Sequence, residues 1–130
     1  MSSDNIDYSD LSDRLEETNA MMLFPDILGH PDEQPTYQEI EFLNPQMGKS
    51  EVMAALATLE EEGILEVITL QEENRTDSEP HEFYSLTIRG RIIADHFGLL
   101  DEQDEMKEAL ASIELPEDIQ KLQDAARPPL

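Results

Sequence analysis

A chain of 130 residues with 31 acids, 8 bases, a net charge of −23 and 38% hydrophobic residues has material for one modest core. The absence of cysteine excludes disulfides, thiolate chemistry and cysteine zinc sites. No apolar run approaches the ~20 residues of a membrane span, and the opening MSSDNIDYSD lacks the basic and apolar stretches of a signal peptide, so a cytoplasmic protein is expected.

Acid is spread along the whole chain. Residues 1–48 hold 11 acids and one base, Arg14, and residues 92–130 hold 10 acids and three bases, Lys107, Lys121 and Arg127. Residues 49–91 hold 10 acids and four bases, Lys49, Arg75, Arg89 and Arg91, which is half of all the bases. Three readings of this acidity compete. A cytoplasm with molar salt favours a carboxylate-rich surface, scarce lysine and few aromatics, with K+ ions at that surface. A nucleic-acid mimic would use carboxylates in place of phosphates. Intrinsic disorder follows from high charge and low hydrophobicity, but the clear apolar periodicity of the middle of the chain argues against it there.

In chain order, residues 1–8 are expected to be disordered. A helix is expected from Ser9 or Ser12, with Asp10 and Asp13 in its first turn, where acids suit the helix dipole. Leu11, Leu15 and Met22 would share its buried face, and Pro25 would kink or end it. DILGHPDEQP then reads as a turn and a loop. Thr36 and Glu39 have capping-box spacing at the start of a short helix carrying Tyr37, Ile40 and Leu43 on one face, ended by Asn44-Pro45. After a turn through Gly48, Ser50 is expected to cap a helix whose stripe Val52, Ala55, Leu56 and Leu59 follows i, i+3, i+4, i+7. Gly63 suits its left-handed C-terminal cap.

ILEVITL reads as a strand, QEENRTDSEPHE as a polar tip and EFYSLT as the returning strand. Thr87 would cap a helix with Ile88, Ile92 and Phe97 on its apolar face, stopped by Gly98. Asp101 would cap a further helix with Met106, Leu110 and Ile113, and Pro116 would begin a last one through Ile119 and Leu122. The core unit is placed at residues 9–98. Residues 99–130 are read as C-terminal helices and tail, with disorder expected at 126–130.

Motifs for catalysis are missing. The GKS at residues 48–50 resembles the end of a phosphate-binding loop, but Leu43 stands where that motif needs glycine, and the upstream segment is helical. His30, His81 and His96 lack metal-ligand spacing and read as surface or turn residues. DEQDE lacks the glycine and spacing of a calcium loop, and NRT at residues 74–76 matches a glycosylation sequon without a secretion signal beside it. No enzyme, cofactor or metal is expected.

Helix, turn, helix and hairpin in this order form the layout of a winged helix-turn-helix, in an α+β, mostly α domain with flanking N- and C-terminal helices. In such domains the N-terminal residues of the second helix face base edges in the major groove. With Val52, Ala55, Leu56 and Leu59 inward, Lys49, Ser50, Glu51, Met53, Ala54 and Ala57 are left on or near that side.

ALATLEEEGILEV followed by EFYSLTIRGRIIAD resembles the small winged-helix regulators of the PadR and MarR type. The matching residues are Leu56, Leu59, Glu60, Glu61, Glu62, Gly63, Ile64, Tyr84, Leu86, Thr87, Gly90 and Arg91, within residues 36–97. With the acidity, the resemblance implies a haloarchaeal regulator of transcription that binds double-stranded DNA as a homodimer. It implies dimerisation through the segments before Pro25 and after Gly98. The DNA-contacting set expected here is Thr36, Gln46, Lys49, Ser50, Glu51, Met53, Ala54, Arg75 and Arg89. The sequence departs from the family in having one base at the entrance of the second helix and a wing where Arg75 stands among Glu72, Glu73, Asp77 and Glu79. The rival reading is a protein-interaction module on the same fold, or an acidic DNA mimic, since fold alone does not fix function.

Overall fold

The computed structural model describes residues 6–74 and 80–128. Arg75 and Thr76 of the NRT sequon, Asp77 and Glu79 lie outside the described residues, as do residues 1–5 and 129–130.

The first helix, α1 (Tyr8–Glu17), begins earlier than expected. Asp7, not Ser9 or Ser12, is its cap, accepting a hydrogen bond from the Asp10 backbone N–H at 3.1 Å. Leu11 and Leu15 are fully buried, as their spacing predicted, but Met22 is 44% exposed. The reason is that α1 stops at Thr18, and Asn19 turns left-handed (φ 59°) into a short 3-10 turn, Ala20–Leu23. Pro25 does not end this helix. It sits in the first turn of α2 (Phe24–Leu28), where its missing N–H costs nothing.

Helix α3 (Tyr37–Leu43) has the expected capping box, and Asn44 ends it. Helix α4 (Lys49–Glu61) is capped by Gly48, two residues earlier than Ser50. The Gly48 N–H donates to the Glu51 carboxylate at 3.4 Å, so the third residue of α4 closes the box from inside the helix. Val52, Ala55, Leu56 and Leu59 are buried as a continuous stripe, and Gly63 (φ 73°) makes the left-handed turn out of α4.

Strands β1 (Leu65–Thr69) and β2 (Glu82–Leu86) pair antiparallel, with Leu65 opposite Leu86 and Thr69 opposite Glu82. The Tyr84 N–H donates to the Pro35 carbonyl at 2.9 Å, so the approach to α3 lies along the outer side of β2. Helix α5 (Ile88–His96) starts at the Thr87 cap as expected. Its buried side differs: Gly90, Ile93 and Ala94 face inward, whereas Ile88 is 82% and Ile92 45% exposed. The cause is the close seating of Gly90 on the Ile64 carbonyl, which turns the opposite side of the helix outward.

A 3-10 turn (Leu100–Glu102) precedes α6 (Gln103–Ala111), so Asp101 is not its cap, and Ile113 falls beyond its end, 39% exposed. Helix α7 (Glu117–Asp124) follows Pro116. Helix α6 packs on α2 and α7 on α3 of the same chain. The expected disorder after residue 125 is corrected for residues 126–128, because Arg127 is buried there to 5% side-chain exposure. Among the described residues no helix is long and apolar enough to cross a membrane.

Candidate nucleic-acid interface

The outer face of α4 is set by its buried one. With the stripe at Val52, Ala55, Leu56 and Leu59 turned inward, Lys49, Ser50, Glu51, Met53, Ala54 and Ala57 are all exposed. Met53 is 55% exposed. No ion pair among the described residues holds Lys49. Glu51 is tied locally to the start of the helix through Gly48, which orients its carboxylate along the helix dipole rather than outward as an isolated charge. Gln46 is exposed just before α4, with its amide 3.5 Å from the Asn44 side chain.

Behind this face a buried polar bracket fixes the angle of the turn between α3 and α4. Asn44 donates to the Asp26 carboxylate at 2.6 Å and to the Ile40 carbonyl at 2.8 Å. Burial pushes the Asp26 carboxyl up to about 6, against the hydrogen bond from Asn44, which favours the charged form.

Two of the expected contact residues lie elsewhere. Thr36 is buried to 1% exposure and its hydroxyl is engaged with Glu39, so it is a structural cap and not a surface donor. Arg89 is half-buried at the opposite end of α4, where its Nε donates to the Glu62 carbonyl at 2.8 Å. A 13-residue helix is ~20 Å long, so Arg89 and Lys49 do not form one strip. Lys49, Ser50, Met53 and Ala54 are brought together. Arg75 lies outside the described residues.

The remaining cations are mostly committed. Arg14 pairs with Glu62 (2.6 Å) and with Asp10. Arg91 pairs with Glu33 at 3.0 Å, and Lys121 lies 3.6 Å from Glu117. Arg127 reaches Glu39 at 2.6 Å, donates to the carbonyls of Gln34, Leu122, Gln123 and Ala125, and lies 4.9 Å over the Phe83 ring. Counting bases in the sequence therefore overstates the charge available to a phosphate backbone.

Sequence reasoning missed the cluster around Glu39. His30, expected as a surface or turn residue, does lie in the bend after α2, but it is 3% exposed. Its Nδ1 accepts from the Asp32 N–H (3.1 Å), which leaves Nε2 to donate to Glu39 at 2.7 Å. Burial works against the Glu39 carboxylate. The hydrogen bond from His30, the charge of Arg127 and the Thr36 N–H outweigh that and hold it below the ordinary carboxylate range. The capping-box spacing marked Glu39, but nothing local signals that a residue 88 positions later closes on it.

An open cleft of about 460 Å³ lies between the start of α3 and the hairpin, with Tyr37, Gln38, Glu82 and Tyr84 in its walls. Partial burial, then a 2.9 Å hydrogen bond to Glu41, pushes the Tyr37 phenol up to about 12. Among the described residues no group of three or more His, Asp or Glu side chains is arranged to hold a metal ion.

The arrangement matches a solved structure from Halomicrobium mukohataei, described as a protein with a GntR superfamily winged-helix-turn-helix domain. The two share 22% identity and a TM-score of 0.78 over 95% of this chain and 89% of that one. The fold is therefore a winged helix-turn-helix: α3 and α4 are its helix pair, and β1 and β2 its wing. No family model matches the sequence, and no curated protein does.

Proposed function

We propose that this chain is a sequence-specific DNA-binding regulator of transcription, acting as a homodimer in a high-salt cytoplasm. The observation that carries the reading is the outer face of α4. Its first turns present Lys49, Ser50, Met53 and Ala54, uncovered by the chain itself, where a winged helix-turn-helix offers its second helix to the major groove. Small side chains at Ala54 and Ala57 let the helix approach base edges closely. The run LEEEGILEV with YSLTIRGR supports a regulator of the PadR and MarR type within that class. The likeness to a haloarchaeal structure supports the salt-adapted reading of the acidity.

Affinity in ordinary regulators comes largely from counterions released by lysines and arginines, with log K falling by about 0.9 per log salt for each phosphate neutralised. A dimer reading DNA through two copies of Lys49 neutralises about two phosphates, so a slope near −2 is expected, against about −10 for an interface with ten such contacts. The test is binding to random and genomic DNA fragments in about 2 M KCl, where exposed carboxylates are screened beyond ~3 Å. The folded native chain is expected to bind and Lys49→Glu to lose binding. No binding by the native chain at any salt overturns the reading.

A second reading has its own observation. Glu60 and Glu61 are exposed on the same helix, and Lys49 is the one cation among the described residues of that face. A protein-interaction module taking a basic partner would use that surface, and the outcome without DNA binding favours it.

A further inference from the structure

Tyrosine stands at three positions of this chain and tryptophan at none. Two of the three, Tyr37 of α3 and Tyr84 of β2, are half-buried side chains in the walls of the cleft between the helix pair and the hairpin. The cleft has a volume of about 460 Å³, within the ~300–1,000 Å³ of ordinary small-molecule sites. Gln38 from α3 and Glu82 from β2 lie exposed on its two sides.

The charge of the cleft is negative. Glu82 stands in its wall, and the Tyr37 hydroxyl donates to the Glu41 carboxylate at 2.9 Å. Burial first, then the charges of Glu60 and Glu82, raises the Tyr84 phenol. No lysine or arginine is among the described residues of the lining, and His81 is the only one there that can become positive. An anion, a nucleic-acid phosphate included, would meet carboxylates with no base to offset them. An inorganic cation needs a shell of ligands, and among the described residues no group of three or more His, Asp or Glu side chains is arranged to supply one. Two aromatic faces beside carboxylates suit a cation that binds without such a shell, its charge carried on an apolar body.

The geometry points to a small organic cation, a quaternary ammonium or an alkylated amine, as the ligand of this cleft, held by the rings of Tyr37 and Tyr84 with Glu82 beside the charge. Such a ligand touches both sides of one joint. The Tyr84 N–H donates to the Pro35 carbonyl at 2.9 Å, two residues before α3 begins, so the two rings flank the seam between wing and helix pair. A cation between them ties the hairpin to α3. This gives the regulator proposed above an effector, and it rests on that reading only for the effect on DNA.

The experiment titrates the full chain with choline and, in parallel, with 3,3-dimethylbutanol, an uncharged analogue of the same shape. Total salt is held constant with KCl at about pH 8, where an ordinary histidine is neutral. Amide chemical shifts locate the ligand. Choline is expected to move the signals of Tyr37, Gln38 and Tyr84 to saturation, with a dissociation constant about tenfold or more below that of the alcohol. Tyr84→Leu and Glu82→Gln should each weaken choline binding several-fold, whereas Tyr84→Phe, which keeps the ring, should bind as the native chain does. Glu82 is exposed, so Glu82→Gln leaves the fold intact even where Tyr84→Leu does not. The proposal is overturned by a native chain that does not bind choline, by equal affinity for choline and the alcohol, by shifts confined to other parts of the chain, or by native affinity in both Tyr84→Leu and Glu82→Gln. DNA binding is read separately. A chain that binds choline but no DNA keeps the cleft and loses the regulator, and one that binds DNA but no choline does the reverse.

Discussion

Asp26 and Glu39 show how two buried carboxylates can shape the pH response of one small domain in opposite directions. Glu39 is held below the ordinary carboxylate range, so its contribution to stability is present above its unfolded pKa and is lost as pH falls through the folded value. Asp26 is held up at about 6 against an ordinary 3.8. Between those values the folded state binds a proton that the unfolded state has released, so stability falls as pH rises through that window. The single hydrogen bond from Asn44 does not offset the desolvation of the charge. Asp26→Asn keeps an acceptor for Asn44 and removes the charge. It is expected to stabilise the protein by up to ~3 kcal/mol at pH 8 and to change little at pH 4. Urea unfolding of both proteins at the two pH values checks this, and equal differences at both would rule out the ionisation of Asp26 as the cause.

Among the elements, the join between α5 and β1 is the least tolerant. A methyl group on Gly90 would fall well inside contact distance of the Ile64 carbonyl, a backbone atom that cannot swing aside. Gly90→Ala is therefore expected to cost ~3 kcal/mol or more, at the upper end for overpacking, and to loosen α5 before the helix pair. Hydrogen exchange should show protection lost first at α5 amides. This join also marks the limit of what was legible in the sequence. The helix pair, the hairpin, the Thr36 and Thr87 caps and the stripe of α4 could all be read, because each is a local pattern with its own period or cap. The face of α5 could not. Ile88 and Ile92 have the right spacing for a buried stripe, and only the close approach at Gly90, a contact with a residue 26 positions earlier, decides that the other side is inward. Thr36 shows the same limit at the candidate site: its cap was legible, but not that Pro35 runs beside β2 and takes the hydroxyl out of solvent. Lys49, Ser50, Met53 and Ala54 were legible as one face because the stripe opposite them is complete.

For the whole molecule, the surface and the interior should answer salt differently. The surface carries most of 31 acids against few uncommitted bases, so its self-repulsion opposes compaction until salt shortens its range, from ~10 Å at 0.1 M to ~3 Å at 1 M. Unfolding free energy is expected to rise between 0.2 M and 2 M KCl by a few kcal/mol, a large share of the ~5–15 typical of a domain. The Glu39–Arg127 pair is of the other kind. Both side chains are 5% exposed, 2.6 Å apart, and ions cannot enter between them. Arg127→Met leaves Glu39 buried with only His30 and the Thr36 cap, which should cost ~3–5 kcal/mol, and removal of residues 126–130 should cost about the same, since this side chain is what holds the tail. That cost should be nearly equal at both salt concentrations while the total stability of each protein shifts. Denaturant unfolding of native protein and Arg127→Met at 0.2 M and 2 M KCl separates the two contributions. If the cost shrank with salt as the total grew, Arg127 would be acting as one more surface charge, and the clasp of the tail onto α3 would not be the buried pair described.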